Sequence, residues 1–155
     1  MSPVKNKIQL GPSLTEGRGA GSIPDIGKKA TLESIDEIKQ ILQSNTKMVF
    51  VTAGMGGGTG TGGAPEIAKL AKEAGILTVG IVTTPFSNEG KERLKKAHKG
   101  IEEMKQFVDT FLVISNDKLR EMHGNLTLSK AFAEADNVLA TAAKGIAEII
   151  TVPGY

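Results

Sequence analysis

The sequence has no cysteine and no tryptophan, and only 4% of its 155 residues are aromatic. The absence of cysteine excludes a disulfide framework, a thiol nucleophile and a cysteine zinc site. With so few aromatic side chains, the core has to be built mainly from aliphatic residues, which suits helices packed on a sheet. The length is that of one globular domain.

Strong net charge and long apolar runs are missing too. Nineteen Lys and Arg residues against 17 Asp and Glu give a formal net charge of +2, too small for a nucleic-acid footprint. No stretch reaches the roughly 20 apolar residues of a membrane span, and the amino terminus lacks a signal-peptide core. His98 and His123 lack metal-ligand spacing, so no metal site is predicted. We expect a cytoplasmic protein with no nucleic-acid partner and no membrane insertion.

Apolar, β-branched runs alternate with amphipathic segments along most of the chain. Strands are predicted over residues 48–53, 76–83 and 107–115, with a further short strand over 7–10. Helices are predicted over residues 28–44, 65–74, 91–105, 117–122 and 128–151. Such alternation requires parallel strands joined by right-handed crossovers. The fold class is therefore α/β, a three-layer parallel sheet with flanking helices.

Two segments carry expectations about order and burial. The Gly- and Pro-bearing stretch over residues 11–27 has no apolar period and is predicted to be a loop. The helix over 128–151 is apolar on more than one side, so we expect a largely buried core helix that ends before Pro153.

Glycines concentrate after the strand over 48–53. The run from Gly56 to Gly62 is Gly-Gly-Gly-Thr-Gly-Thr-Gly, between a strand and a helix, where backbone amides can converge on an anion. No Lys follows as in a Walker loop, and the spacing is not GxGxxG, so a mainly main-chain phosphate contact is indicated. The alternative is a plain strand-to-helix connection. Each Gly costs about 1 kcal/mol relative to Ala in regular structure, which favours the binding interpretation.

The run Gly56 to Gly62 is identical to the signature of the tubulin/FtsZ family of cell-division GTPases. The resemblance extends over nearly the whole chain, from residues 6–11 to residues 145–150. It implies GTP or GDP as ligand, with Mg²⁺ as a companion of GTP. It also implies head-to-tail filaments in the cytoplasm at the division site, where division-site proteins are candidate partners.

The resemblance assigns roles to individual residues. Phosphate contacts are implied for Gly19, Ala20, Gly21, Gly56, Gly57, Gly58, Thr59, Gly60, Thr61 and Gly62. Ribose and nearby phosphate contacts are implied for Pro85, Glu89 and Arg93, and guanine contacts for Asn116, Phe132 and Asp136. Without the family, the alternatives are a mobile linker over 17–22 and a surface Glu89–Arg93 pair across one helical turn. Likewise, Asn116 would be a helix cap, Phe132 a core residue and Asp136 a solvated one.

Family members carry a first strand with its own phosphate loop upstream of the region that matches here, and an acidic loop downstream of it. Neither is found in this sequence. We therefore expect residues 1–155 to be a partial GTPase domain lacking its first strands, with 1–27 loosely ordered and an open edge on the strand over 48–53. No catalytic residue is assigned, and we expect no independent hydrolysis, because the family's active site is completed between subunits. The alternative is a non-catalytic remnant with weak or no nucleotide binding.

Overall fold

A computed structural model describes residues 3–43, 45–124 and 127–151. Three strands form one parallel sheet in the order β1, β2, β3. They are β1 Met48–Gly54, β2 Leu77–Thr84 and β3 Thr110–Ser115. The predicted α/β fold with a parallel sheet and flanking helices is confirmed.

Helices precede, connect and follow the strands. Before β1 lie α1 Pro12–Thr15, α2 Pro24–Glu33 and α3 Ile35–Gln43. The crossover from β1 to β2 contains α4 Thr59–Glu73, and that from β2 to β3 contains a 3₁₀ turn Ser87–Glu89 and α5 Lys91–Lys105. After β3 come α6 Asn116–His123 and α7 Leu128–Thr151. No helix in the described ranges has the length and apolar character needed to cross a bilayer.

The main core lies between one face of the sheet and the pair α4 and α5. Small side chains dominate it, so the helices approach the strands closely; its buried members are Val51, Met55, Ala64, Ala68, Val82, Ala97, Ile101 and Met104. Since side chains alternate along a strand, Val79 and Ile81 point to the opposite face, where they are also buried. There α7 contacts β2, which gives helices on both faces of the sheet.

Glycines set the contact between α4 and its neighbouring helices. A Cβ on Gly62 would overlap the carbonyl oxygen of Pro24 in α2, and one on Gly63 would lie 2.5 Å from Thr31 Oγ1. On the other side of α4, a Cβ on Gly100 would lie 2.7 Å from Thr61 Cγ2. Part of the glycine run therefore serves helix packing, so a ligand is not needed to explain every glycine in it.

The predicted strand over residues 7–10 is not formed. Within the described residues no strand lies beside it to supply ladder hydrogen bonds. Ile8 and Leu10 instead pack on the small cluster of α3 and α4 side chains around Ile38. The Gln9 carbonyl accepts a hydrogen bond of 3.1 Å from the Ser34 hydroxyl.

The predicted loop over 11–27 and helix over 28–44 are divided differently in the structure. The loop contains α1, and α2 already begins at Pro24. Ser34 separates α2 from α3, and its hydroxyl accepts from Gly11 N at 3.1 Å. The residue between the two helices thus also holds the segment before α1 against them.

Two further helices differ from their predictions. The predicted start of α4 near Pro65 is too late: the helix begins at Thr59 and includes Pro65, because its glycines allow it to pack on α2. The long helix α7 forms, but the prediction that it is largely buried is wrong for the described side chains, since of these only Ala131 and Ala135 are buried. Among the strands α7 mainly contacts β2, so most of its surface lies beyond the sheet. The predicted stop at Pro153 lies outside the described residues.

Candidate functional site

Three loops meet at the edge of the sheet where the parallel strands end, the usual ligand edge of such folds. They are the glycine run after β1, the segment from Pro85 to Gly90 after β2, and the start of α6 after β3. A Cβ on Gly56 would lie 3.0 Å from Pro85 Cγ, so the first two loops are in contact. Gly56 has a φ of 111°, which L side chains rarely adopt.

The start of α4 is the positive end of a helix at this edge of the sheet. No side chain in the described part of the chain caps this helix, and its first turn has no acidic residue. The amides of Gly57, Gly58 and Thr59 therefore lie at a positive helix end, where an anion is favoured. A Cβ on Gly57 would meet no described atom within 4 Å, so the space before this residue is open. Thr59 is also exposed.

Gly58 and Gly60 lie against protein on the side that a Cβ would occupy. A Cβ on Gly60 would overlap the Gly54 carbonyl, and one on Gly58 would lie 2.6 Å from Ala20 Cβ. Thr61 is 2% exposed, and its hydroxyl accepts from Gly56 N at 2.8 Å. Thr61 thus folds the loop back onto the first turn of α4.

The loop around Ala20 lies against the glycine run. Ala20 itself is buried, while Gly19 and Gly21 are exposed and have positive φ angles of 77° and 58°. Lys96 Nζ donates to the Ser22 carbonyl at 2.9 Å, and Arg93 Nη2 lies 3.4 Å from Ser22 Oγ. The structure therefore brings the two predicted phosphate segments together, and side chains of α5 bind the end of the upstream loop.

Glu89 and Arg93 form a pair across one helical turn. Arg93 Nη1 lies 3.0 Å from Glu89 Oε1, and Glu89 Oε2 accepts from Phe86 N at 2.6 Å. The pair left open as the alternative from the sequence is therefore present. The pair is not fully at the surface, because the side chain of Glu89 is 13% exposed and that of Arg93 43%.

Asn116 occupies the first position of α6 and is 4% exposed. Its Oδ1 has no hydrogen-bond partner among the described residues. The helix cap is supplied by Ser115, whose hydroxyl accepts from Lys118 N, so the alternative that Asn116 caps the helix is wrong. Leaving a buried acceptor without a partner costs about 1–3 kcal/mol, so Asn116 Oδ1 is available to a hydrogen-bond donor from outside the described chain.

Phe132 and Asp136 are placed on α7. The Phe132 ring is 39% exposed and meets the Phe86 ring edge-on, with centroids 5.4 Å apart and planes at 82°. Phe132 is therefore not an ordinary core residue. Asp136 is exposed one turn later, and residues at this spacing share a helix face.

Four residues that were not predicted from the sequence contact the predicted site residues or the loops that carry them. Phe86 is 2% exposed, with the Arg120 guanidinium 5.6 Å from its ring centroid. Asp117 accepts hydrogen bonds from Ser87 N, and Lys96 holds Ser22. Phe86 and Asp117 directly follow assigned residues in the chain, which was an available signal. Lys96 follows Arg93 by three positions, so both fall on one face of α5.

Comparison with known proteins gives consistent matches. A family model described as the Tubulin/FtsZ family, GTPase domain, matches residues 2–124. The cell division protein FtsZ of Aquifex aeolicus (strain VF5) is 52% identical over 151 residues, which cover 97% of this chain and 41% of the relative. The chain thus spans well under half the length of that protein.

Two solved structures extend the comparison. An empty FtsZ dimer from M. jannaschii superposes with a TM-score of 0.88 at 51% identity, covering 94% of this chain and 42% of that one. A GTPgS-bound protofilament of CetZ2 from Haloferax volcanii gives a TM-score of 0.77 at 25% identity, covering 92% of this chain and 45% of that one.

Proposed function

Because this chain belongs to the tubulin/FtsZ family, we propose that it is part of a guanine-nucleotide-binding, GTP-hydrolysing protein that forms filaments in bacterial cell division. The observation that carries the binding proposal is the uncapped, glycine-lined start of α4 at the ligand edge of the sheet. GTP or GDP is the proposed ligand, with Mg²⁺ offsetting the phosphate charge of GTP.

The phosphates are proposed to lie against the amides of Gly57, Gly58 and Thr59. The loop from Gly19 to Gly21 forms the facing wall, since Ala20 already packs on Gly58. Gly56, Gly60, Thr61 and Gly62 shape this cradle by the packing described above. Close backbone approach on both sides suits a group whose charge is spread over several oxygens.

The nucleoside is proposed to occupy the space between the loop after β2 and α7. Each Glu89 oxygen accepts one bond from the protein and keeps a lone pair for a ribose hydroxyl, and Arg93 is proposed to reach a phosphate. Pro85 packs against Gly56 and so holds the loop after β2 next to the glycine run. The guanine ring is assigned to the exposed face of Phe132, with its hydrogen-bond donors assigned to Asp136 and an edge atom to Asn116.

Filament formation is proposed from the relatives. Their solved forms include a dimer and a protofilament, so head-to-tail association is the proposed self-contact, located in the cytoplasm at the division site. Division-site proteins are proposed as further partners. No catalytic residue is assigned within this chain, and hydrolysis is proposed to require residues of a neighbouring subunit.

Titration with GDP, GTP and ATP tests the binding proposal. We expect guanine-selective binding. A GTPase assay should show no turnover by this chain alone, and a mixture with full-length Aquifex FtsZ should exceed the turnover of that protein alone. Absence of binding at millimolar nucleotide would instead support the non-catalytic remnant. Preference for ATP would overturn the roles given to Asn116 and Asp136.

A further inference from the structure

The start of α6 is tied to the loop after β2 by one carboxylate. Both oxygens of Asp117 accept from Ser87 N, at 3.2 Å and 3.1 Å, and Ser87 Oγ lies 3.4 Å from Oδ1. Hydrogen bonds from a backbone amide to a charged acceptor are among the stronger ones in proteins. The contact therefore fixes the first turn of α6 relative to the 3₁₀ turn.

The same carboxylate holds a side chain against the aromatic pair. Arg120 Nη2 lies 3.5 Å from Asp117 Oδ1, and the guanidinium lies 5.6 Å from the centroid of Phe86. The Phe86 ring also forms a T-shaped contact with the Phe132 ring. Asp117, Arg120, Phe86 and Phe132 thus form a continuous series of contacts from the loop after β2 to α7.

We infer that Asp117 and Arg120 act as a clamp that positions the base-binding side chains without touching the nucleotide. The inference rests on the proposed function. Asn116 Oδ1 has no hydrogen-bond partner within the described chain, so we expect the placement of this side chain to depend on the backbone of the first turn of α6. That turn is anchored to the next loop by Asp117, and the buried side of the Phe132 ring is supported by Phe86, over which Arg120 lies.

The clamp separates nucleoside binding from phosphate binding. Its contacts connect the loop after β2, α6 and α7, whereas the proposed phosphate site consists of the start of α4, the loop from Gly19 to Gly21 and Arg93 of α5. Loss of the clamp should therefore weaken GDP binding and leave pyrophosphate binding unchanged. A role confined to general stability would not change this ratio.

Calorimetric titration with GDP and with pyrophosphate tests the clamp. For Asp117→Ala and Arg120→Met we expect a Kd for GDP that rises about tenfold or more, the loss associated with one charge-assisted hydrogen bond. The Kd for pyrophosphate should stay within about twofold, a change of less than about 0.5 kcal/mol. Glu121→Gln is the matched control on the same helix, since within the described residues Glu121 pairs with Lys118 at the surface.

A third variant removes the hydrogen-bond donor instead of the acceptor. Ser87→Pro deletes the N–H that Asp117 accepts at the first position of the 3₁₀ turn, where proline fits and where the preceding Phe86 already has an extended backbone, φ −63° and ψ 146°. It leaves α6 untouched and should reproduce the GDP-specific loss even if Asp117→Ala does not fold.

The outcomes separate the clamp from the proposed function. If the unmodified chain binds pyrophosphate no more weakly than GDP, or binds neither, the proposed guanine site is wrong and the clamp is wrong with it. If the unmodified chain prefers GDP but Ser87→Pro and Arg120→Met keep its GDP to pyrophosphate ratio, only the clamp is overturned.

Discussion

At the scale of single residues, the glycine run divides into two kinds of position. Gly57 and Thr59 lie toward open space, whereas Gly58, Gly60 and Gly62 are in close contact with Ala20, Gly54 and Pro24. The sequence locates the run and its strand-to-helix setting. It does not tell these positions apart, because the contacts that distinguish them come from α2, the loop before α2 and the end of β1.

Alanine at Gly62 should lower stability, whereas alanine at Gly57 should weaken GDP binding. Gly62→Ala introduces a Cβ that overlaps the Pro24 carbonyl, so the free energy of unfolding should fall by about 1–3 kcal/mol, the usual cost of overpacking. Gly57→Ala meets open space and should leave stability within about 0.5 kcal/mol while weakening GDP binding. Urea denaturation and GDP titration of the pair measure both effects. Equal stability of Gly62→Ala and the parent chain would show that α2 does not pack on α4 as described.

The base contact also has a test at a single residue. Asp136→Asn keeps the shape of the side chain but replaces a charged acceptor of two guanine hydrogens, so GDP affinity should fall by about 1.5–3 kcal/mol. Glu148→Gln removes a charge from an exposed position farther along α7 and should change nothing. Fluorescence titration with labelled GDP provides the comparison, and equal affinities of the two variants would contradict the assignment of Asp136.

At the scale of elements, the sequence predicts what local pattern determines. The three sheet strands and α5 follow from continuous apolar runs and a clear helical period, and they are found at nearly the predicted bounds. The region before β1 is different, because Ile8 and Leu10 have no strand partner in the described chain and Ser34 divides a periodic segment. Such features depend on contacts between segments distant in sequence. The apolar residues of α7 likewise predict a helix, but they do not show how little of its surface the sheet covers.

The start of α1 is held by a carboxylate of α2. Glu33, the last residue of α2, accepts from Ser13 N at 2.9 Å and from Leu14 N at 3.1 Å, at the start of α1. These hydrogen bonds, with that from the Ser13 backbone first, lower the pKa of Glu33 below its ordinary value of 4.5. The carboxylate replaces the missing side-chain cap of α1.

Acidification should release this cap. A carboxyl group whose folded pKa is lowered stabilises the fold above its unfolded value, here 4.5, and that contribution is lost as the pH falls through the folded pKa. The parent chain should therefore have a higher urea midpoint than Glu33→Gln at neutral pH, and the difference should vanish at a pH below the folded pKa. A difference that persists in acid would assign the effect to side-chain shape instead of charge.

At the scale of the whole molecule, the described sheet has β2 at its centre and one unpaired edge on each of β1 and β3. The expected open edge of the strand over 48–53 is therefore present within the described residues. Thr52, on the uncovered face of β1, is exposed, while Ile81 beside it is fully buried. We expect the backbone amides of β2 to be better protected from exchange than those of β1, because a central strand has ladder hydrogen bonds on both sides and helices on both faces.

Hydrogen exchange gives the comparison that bears on the predicted loose order of residues 1–27. Within the described part of this segment, Gly11 and Thr15 are buried, and few of the neighbouring side chains are. Its attachments to the rest of the chain include hydrogen bonds from backbone amides to the side chains of Ser34 and Glu33, and each of these amides is exposed when its bond opens. Amides over 79–82 can exchange only when the sheet itself separates.

We expect the amides of α1 to exchange at least about 100-fold faster than those over 79–82, a difference of about 2.7 kcal/mol in opening free energy. Equal protection of the two segments would show that α1 and the central strand unfold as one cooperative unit.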